Sequence, residues 1–560
     1  MSESNKKQNF LLGAAWLAVA TAVTKIIGAF YKIPLRMIIG DAGFAYFNTA
    51  YDVYSLLLTL ATAGLPLAMS RLISQASALG QDRQVKRIFK ACRFAYVFLC
   101  TIGTVMMLVF AKQLANYQNQ PNAWISIMCL APCAALIGMM SAYRGFFQGQ
   151  GNMRPTSISQ VLEAVIKLVV GLVLAYVMLQ MSGSIPLAAG GAILGVTASC
   201  LVSTFYLHGV FRKAFRSMGN NAEGVRSYRS IAKSMLAIAL PITIGAGAMQ
   251  FLNVWETGMY MGTLKQIVGS GQYNVPLVNE LQQSIISGAA SMPTQAELVQ
   301  LTADNMKGIY NFMYQFFNMP FAIIYPIAVS MLPAITEKLT LNDNEGVRKT
   351  EESAARVTGL LALPCAIGLG LIARPLAGIF YSGYRQELAT QAMQILSVSV
   401  FLASATNYTN AVLQSHDYAY VPVITSLLSA GVRLALVAVF VGNPQLGILG
   451  VPMATLVCYL CIIALNLIAI AFLVPQKPKI VRSLLRALLP ALVMGVFVFG
   501  ASYLLENVLH ITSNILLCGV PVVVGVVVYL PSVVWCNAVT RDDCLLLPKG
   551  DKIAKLLRLK

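Results

Sequence analysis

Apolar residues run almost unbroken from Phe10 to Leu35, and the pattern returns along the whole chain. Runs long enough to cross about 30 Å of hydrocarbon fall near 10–33, 44–70, 91–111, 123–147, 155–179, 185–211, 234–262, 308–335, 354–373, 388–413, 420–441, 446–473, 484–505 and 513–538. They predict an all-α polytopic membrane protein with about fourteen transmembrane helices. The polar segments between them are short, except 263–303, which reads as a solvated insertion, a lid or a partner site.

Charge confirms the count and orients it. Basic residues concentrate in alternate loops: "QDRQVKRIFKACR" (81–93), "FRKAFR" and "RSYRSIAK" (211–233), "EGVRKTEESAAR" (345–356) and "PQKPKIVRSLLR" (475–486). The tail "KGDKIAKLLRLK" (549–560) belongs to the same set. Basic loops stay on the cytoplasmic side, so both termini are expected there. Composition agrees: 57% of the 560 residues are hydrophobic and 11% charged, against about 25% in soluble domains. Mean hydropathy is +0.70. The net charge of +19 follows from the loops. It forms no basic stripe interleaved with aromatics, which argues against a nucleic-acid partner.

Candidate enzymatic chemistry is sparse. The three histidines are isolated and the eleven cysteines scattered. Cys458 and Cys461 form a C-x-x-C, but within an apolar run and without the second pair or histidines that a metal site needs. No Walker loop and no G-x-G-x-x-G opens a helix. The sequence therefore predicts no enzyme, no metal and no cofactor. The start, two lysines followed by a spanning run with many more behind it, does not read as a cleaved signal.

The chain repeats itself. "FFQGQGNMRPTSISQVLEAVIKLVVGL" (146–172) aligns with "VLQSHDYAYVPVITSLLSAGVRLALVA" (412–438), matching Gln148 with Gln414 and Lys167 with Arg433. "GAILGVTAS" (191–199) resembles "LGILGVPMA" (446–454). Helices 1–6 and 7–12 thus read as two copies of a six-helix unit. An even number of spans makes the repeats parallel, with a site between two lobes. The expected division is an N-terminal lobe at 1–220, a C-terminal lobe at 221–475, and two extra helices with the basic tail at 476–560. Proline interruptions, Pro66 in one copy against Pro326 and Pro333 in the other, with Pro241 starting helix 7, point to bending elements.

Ionisable residues inside spans are costly, about 2.5–3.5 kcal/mol each on insertion scales, and mark candidate sites. Lys25 lies roughly 22 Å into the first run at about 1.5 Å per residue. Either it snorkels to the surface or it faces a wet cavity. Lys32, Arg36 and Asp41 follow it, and Asp52 lies within the second run. Glu163 and Lys167, four apart, share a helix face and can neutralise each other. Arg433 lies mid-span, Arg71 ends the second run, and Glu256 is near the far end of the seventh. As a lone acid, Glu256 either binds a coupling cation or caps polar surface.

Four long patterns carry a resemblance: "VTKIIGAFYKIPLRMIIGDAG" (23–43), "TAGLPLAMSRLIS" (62–74), "YRGFFQGQGNMRPTSISQVLEAVIKL" (143–168) and "ALPITIGAGAMQFLNVWETGMY" (239–260). They resemble the multidrug/oligosaccharidyl-lipid/polysaccharide (MOP) exporter superfamily. Within it, they look most like the polysaccharide transporters, the MurJ-type lipid II flippases and the stage V sporulation protein B group. The resemblance implies a flippase that moves an undecaprenyl-pyrophosphate-linked sugar, peptidoglycan precursor lipid II first among them, by alternating access. It implies substrate contacts from Lys25, Lys32, Arg36, Asp52, Arg71 and Arg433, and a coupling-ion role for Glu256. Sodium and proton coupling both stay open. Membrane lipid and cell-wall synthesis proteins are the further partners it admits, and the last two helices would offer lipid tails a groove. The MurJ-type branch carries an arginine where this chain has Thr59-Leu60. The acids expected on helix 11 are missing here.

Three alternatives remain: a cation-coupled multidrug antiporter of the same superfamily, export of another undecaprenyl-linked polysaccharide unit, and an assembly scaffold, which would need no charge inside its spans. Fourteen helices and a basic cavity argue against the antiporter. A membrane glycosyltransferase would need clustered acids, Arg or His in a large external loop, and 263–303 lacks them.

Overall fold

The computed structural model describes residues 3–62, 65–219, 226–273, 275–288, 292–321, 324, 335, 338–339 and 341–540. These are mostly helical, with no strand among them. Ten helices among the described residues are long and apolar enough to cross a bilayer. Each coincides with one of the fourteen expected runs. The runs 10–33 and 44–70 are taken up by α1 (Glu3–Thr62) and α2 (Leu65–Ala78), and 234–262 lies within α8 (Tyr228–Gly269). Most of 308–335 lies outside the described residues, as do Pro326, Pro333 and the basic tail. The protein is a multi-pass membrane protein.

Contacts divide the chain into two compact units. The first is Met1–Lys265 with Gln295–Phe312, and the second is Gln266–Thr294 with Met313–Lys560. Packing and repeat therefore draw different boundaries: α8 stays with the first unit well beyond residue 220. The reason is close backbone approach. A Cβ at Gly258 would lie 2.6 Å from the Tyr117 carbonyl oxygen, and one at Gly262 would lie 3.1 Å from the Asn119 amide. Asn119 secures the contact by donating to the Gly258 carbonyl at 2.8 Å.

In the first unit, α1 breaks at Gly40, whose φ of 68° and ψ of −176° are open essentially to glycine alone. After α2 come α3 (Asp82–Val109), the short α4 (Ala111–Tyr117), α5 (Trp124–Gly149), α6 (Arg154–Ser182) and α7 (Ile185–Ser217). Pro155 sits in the first turn of α6, where a missing N–H costs nothing. Gly183 closes α6 by donating to Leu179. α6 and α7 cross at Gly171 and Gly195, too close for a Cβ at Gly195, the small-residue packing of membrane helices. Phe89, Phe146 and Phe211 stack at the basic end of α3, with Phe89 and Phe211 centroids 4.3 Å apart.

Segment 263–303 is largely helical, with packed ends and a solvated middle: most described residues of 283–297 are exposed. α8 runs on to Gly269, α9 spans Val275–Gly288, and α10 (Gln295–Asn318) begins the next element. Leu277 and Leu281, one turn apart, are fully buried, as are Thr302 and Ala303. Apolar spacing of three and four within a polar-looking stretch gave these helices a face to bury.

The second unit holds α11 (Asn344–Leu371), α12 (Ala373–Gly378), α13 (Gly383–Ser415), α14 (Tyr420–Gly442), α15 (Gly450–Leu473), α16 (Ile480–Leu484), α17 (Leu488–Tyr503) and α18 (Asn514–Trp535). Asn466 of α15 ties three helices, donating to Thr409 and Asn410 and accepting from Thr425. Lys167 and Arg433, matched by the repeat, both lie in the fourth turn of their helices, α6 and α14.

Candidate functional site

The ionisable residues of the first unit gather around the break in α1. Lys25, Lys32 and Arg36 recur at intervals of seven and four, which places them along one stripe of the helix before the break. Lys25 is exposed and Lys32 half-buried. Arg36 reaches past the break to Asp41, with Nε to Oδ1 at 2.8 Å and Nη2 to Oδ2 at 3.1 Å. This two-point geometry fixes both groups. The guanidinium also lies 5.4 Å from the Phe312 ring centroid of α10.

Beyond the break, Asp52 lies in the electrostatic field of Lys307, Glu256 and Lys32. Lys32 in turn senses Lys167 and Asp52. Lys307 is 1% exposed. Its Nζ donates to Thr49 Oγ1 at 2.6 Å and to Gln120 Oε1 at 2.7 Å. Asp304, fully buried, accepts from Gln120 at 2.8 Å, Gln300 at 2.9 Å and Tyr46 at 3.0 Å. Gln120 thus bridges the ammonium and the carboxylate. A buried charge is tolerable only when paired and hydrogen-bonded in this way. α10 gets close enough because residue 308 is glycine, where a Cβ would collide with the Asp41 carbonyl.

Several expected site residues meet here: Lys32, Asp52 and Glu256, the last 5% exposed on α8. Arg36 shares the stripe and is committed to Asp41. Lys25 lies farther along the helix; one turn before it, Thr21 donates to Gln160 of α6 at 3.5 Å. Arg71 is exposed on α2 and takes no part in these hydrogen bonds. Arg433 belongs to the second unit, where its field reaches Tyr459. The expected Glu163–Lys167 pairing gives way to other partners. Glu163 accepts from Arg144 of α5 at 3.0 Å, and Lys167 Nζ lies 5.8 Å from the Tyr31 ring centroid. Arg144 reaches Glu163 from a neighbouring helix, a partner that spacing along α6 does not disclose.

Sequence reasoning missed Asp304, Lys307 and Gln120. A signal was present: Gln300, Asp304, Lys307 and Gly308 fall at intervals of four, three and one, largely one helical face. Asp304 and Lys307 fall between the segment 263–303 and the expected run 308–335, so neither reading took them up.

The arrangement offers a stripe of cations along α1, with Asp41 paired to Arg36 and Asp52 near Lys32. Such a surface can take an anionic group by exchanging one counter-charge for another. A family model described as "Polysaccharide biosynthesis protein" matches residues 10–338, more than half of the chain. The chain belongs to this family. The resemblance to the polysaccharide and lipid II flippase group of the MOP superfamily is borne out, and a second model, "Lipid II flippase MurJ", matches residues 306–518.

Among relatives of this family member, the stage V sporulation protein B of Bacillus subtilis (strain 168) is 25% identical over 85% of this chain and 86% of its own. The lipid II flippase MurJ of the same organism is 21% identical over 76% of each. A solved lipid II flippase MurJ in an inward closed conformation aligns with a TM-score of 0.64 at 12% identity, over 92% of this chain and 97% of that one. An inward-facing multidrug resistance MATE transporter of the MOP superfamily aligns with a TM-score of 0.61 at 15% identity, over 82% and 94%. These two structures share the fold.

Proposed function

We propose that the protein flips a lipid-linked oligosaccharide across the bacterial cytoplasmic membrane, with peptidoglycan precursor lipid II as the leading substrate. The observation that carries this is the cationic stripe Lys25–Lys32 at membrane depth, beside Asp52. A pyrophosphate is a matching ligand: charge-assisted hydrogen bonds to it are strong where water is scarce. Family membership and the flippases among the relatives support the same reading. The basic loops support cytoplasmic termini. The protein acts as a transporter, and alternating access of two lobes would carry the head group. The further substrate contacts are Arg36, Arg71 and Arg433. Cell-wall synthesis proteins are natural partners for such a carrier.

The test is reconstitution into vesicles loaded with a fluorescent lipid-linked oligosaccharide, scored by its accessibility to an external quencher. Protein-dependent movement supports the reading, and movement equal to empty vesicles overturns it. Depleting the protein in cells that lack other flippases should make the lipid-linked precursor accumulate on the cytoplasmic face.

A second reading has an observation of its own. The half-buried Asp52 and the buried Glu256, with the MATE-like fold, suit a cation-coupled antiporter. Efflux of a cationic dye driven by a sodium or proton gradient, without lipid movement, would select it.

A further inference from the structure

The lysine stripe of α1 has an open centre. Lys25 and Lys32 lie about 10.5 Å apart along the helix axis at about 1.5 Å per residue, too far for a single phosphate to bridge. Gly28 stands between them on the same stripe, three residues after one and four before the other. A Cβ at Gly28 would meet nothing within 4 Å.

Helix α6 supplies a third cation at this level. Thr21 donates to Gln160 of α6. Farther along, a Cβ at Gly171 of α6 would lie 2.7 Å from the Tyr31 hydroxyl. These two contacts set the register of the helices, which run side by side in the same direction. Counted from the first contact, Lys167 lies about 10.5 Å along α6, between Lys25 at about 6 Å and Lys32 at about 16.5 Å on α1. Its Nζ rests 5.8 Å from the Tyr31 ring centroid, and its field reaches Lys32. Lys167 is half-buried. Glu163, one turn earlier, is taken by Arg144, and among the described residues no carboxylate forms an ion pair with Lys167. Two cations that repel one another within a span are a costly arrangement. An anion between them turns the repulsion into charge-assisted hydrogen bonds.

We propose that Lys167 completes a three-cation seat over Gly28, with Lys25 and Lys32, and that this seat selects a diphosphate head group over a monophosphate. The inference rests on the flippase reading above and names the chemistry that reading leaves open. Lys167 stands about 5 Å along the axis from each α1 lysine, so each of the two gaps takes one phosphate. A diphosphate then meets all three cations, with Lys167 touching both of its phosphates. A monophosphate fills one gap and meets two.

The experiment measures binding of radiolabelled polyprenyl diphosphate and polyprenyl monophosphate to the full chain in detergent, with phosphatidylglycerol as control and inorganic pyrophosphate as competitor. The parent should prefer the diphosphate by about tenfold or more. Lys167→Gln should weaken the diphosphate about tenfold and the monophosphate only about threefold, so the preference narrows. Lys167→Arg should restore it. Gly28→Leu, which fills the open space from α1 itself, should weaken both lipids. Removing a charge from a span eases insertion, and size-exclusion profiles check that each variant stays folded. Equal losses for the two lipids in Lys167→Gln would overturn the selectivity. Unchanged diphosphate binding, or no rescue by Lys167→Arg, would remove Lys167 from the seat and leave the flippase reading standing. If neither lipid binds better than phosphatidylglycerol, the flippase reading fails. Lys167-dependent binding of inorganic pyrophosphate in that case would keep the seat, as a site for a soluble diphosphate.

Discussion

Asp304 and Lys307 lie one turn apart on α10 and are joined through a single side chain, Gln120, whose amide donates to one and whose carbonyl accepts from the other. Both are almost fully buried. Removing one member of such an arrangement strands the rest in a low-dielectric interior. Lys307→Met should therefore cost about 3–5 kcal/mol, read as a lower unfolding temperature in detergent. Adding Asp304→Asn to it should cost less than the sum of the two single changes. Strict additivity would mean that the two groups do not communicate.

Backbone geometry makes a second expectation. Gly40→Ala forces a Cβ into a conformation reserved for glycine and should cost about 1–3 kcal/mol. Gly308→Ala drives a methyl into the Asp41 carbonyl and should cost a similar ~1–3 kcal/mol by overpacking. Each variant should unfold at a lower temperature than the parent. An unchanged melting curve for Gly308→Ala would show that α10 does not hold the α1 break closely.

Lys25 tests the anion site. Lys25→Arg should keep much of the activity, because charge is retained. Lys25→Ala should lose on the order of 2–3 kcal/mol of binding, roughly 30- to 150-fold in affinity. Lys25→Glu should do worse through repulsion. The measurement is complementation of a strain depleted of its own flippases, with protein levels matched. Full complementation by Lys25→Ala would make Lys25 a snorkelling residue.

Glu256→Gln addresses coupling. The substitution keeps size and hydrogen-bonding capacity while removing a buried charge, so folding should survive. Any sodium or proton dependence of transport should change in reconstituted vesicles. If that dependence is present and the variant reproduces it unaltered, Glu256 has no part in coupling.

The sequence by itself determined the membrane class and ten of its helices, because apolar runs and loop charge are local properties. It also marked Lys25, Lys32, Asp52 and Glu256, since any charge within such a run is conspicuous. The tertiary structure alone decided how charges are partnered. Glu163 meets Arg144 rather than Lys167 because the Arg144 side chain reaches it from α5, and spacing along one helix carries no information about the next. The structure also decided the fate of residues 304–307, between the segment 263–303 and the run at 308–335. Their charges read as solvated, yet Asp304 and Lys307 are buried and joined through Gln120 from elsewhere in the chain. Burial of charge depends on partners brought from elsewhere in the chain, and those exist only once the chain has folded.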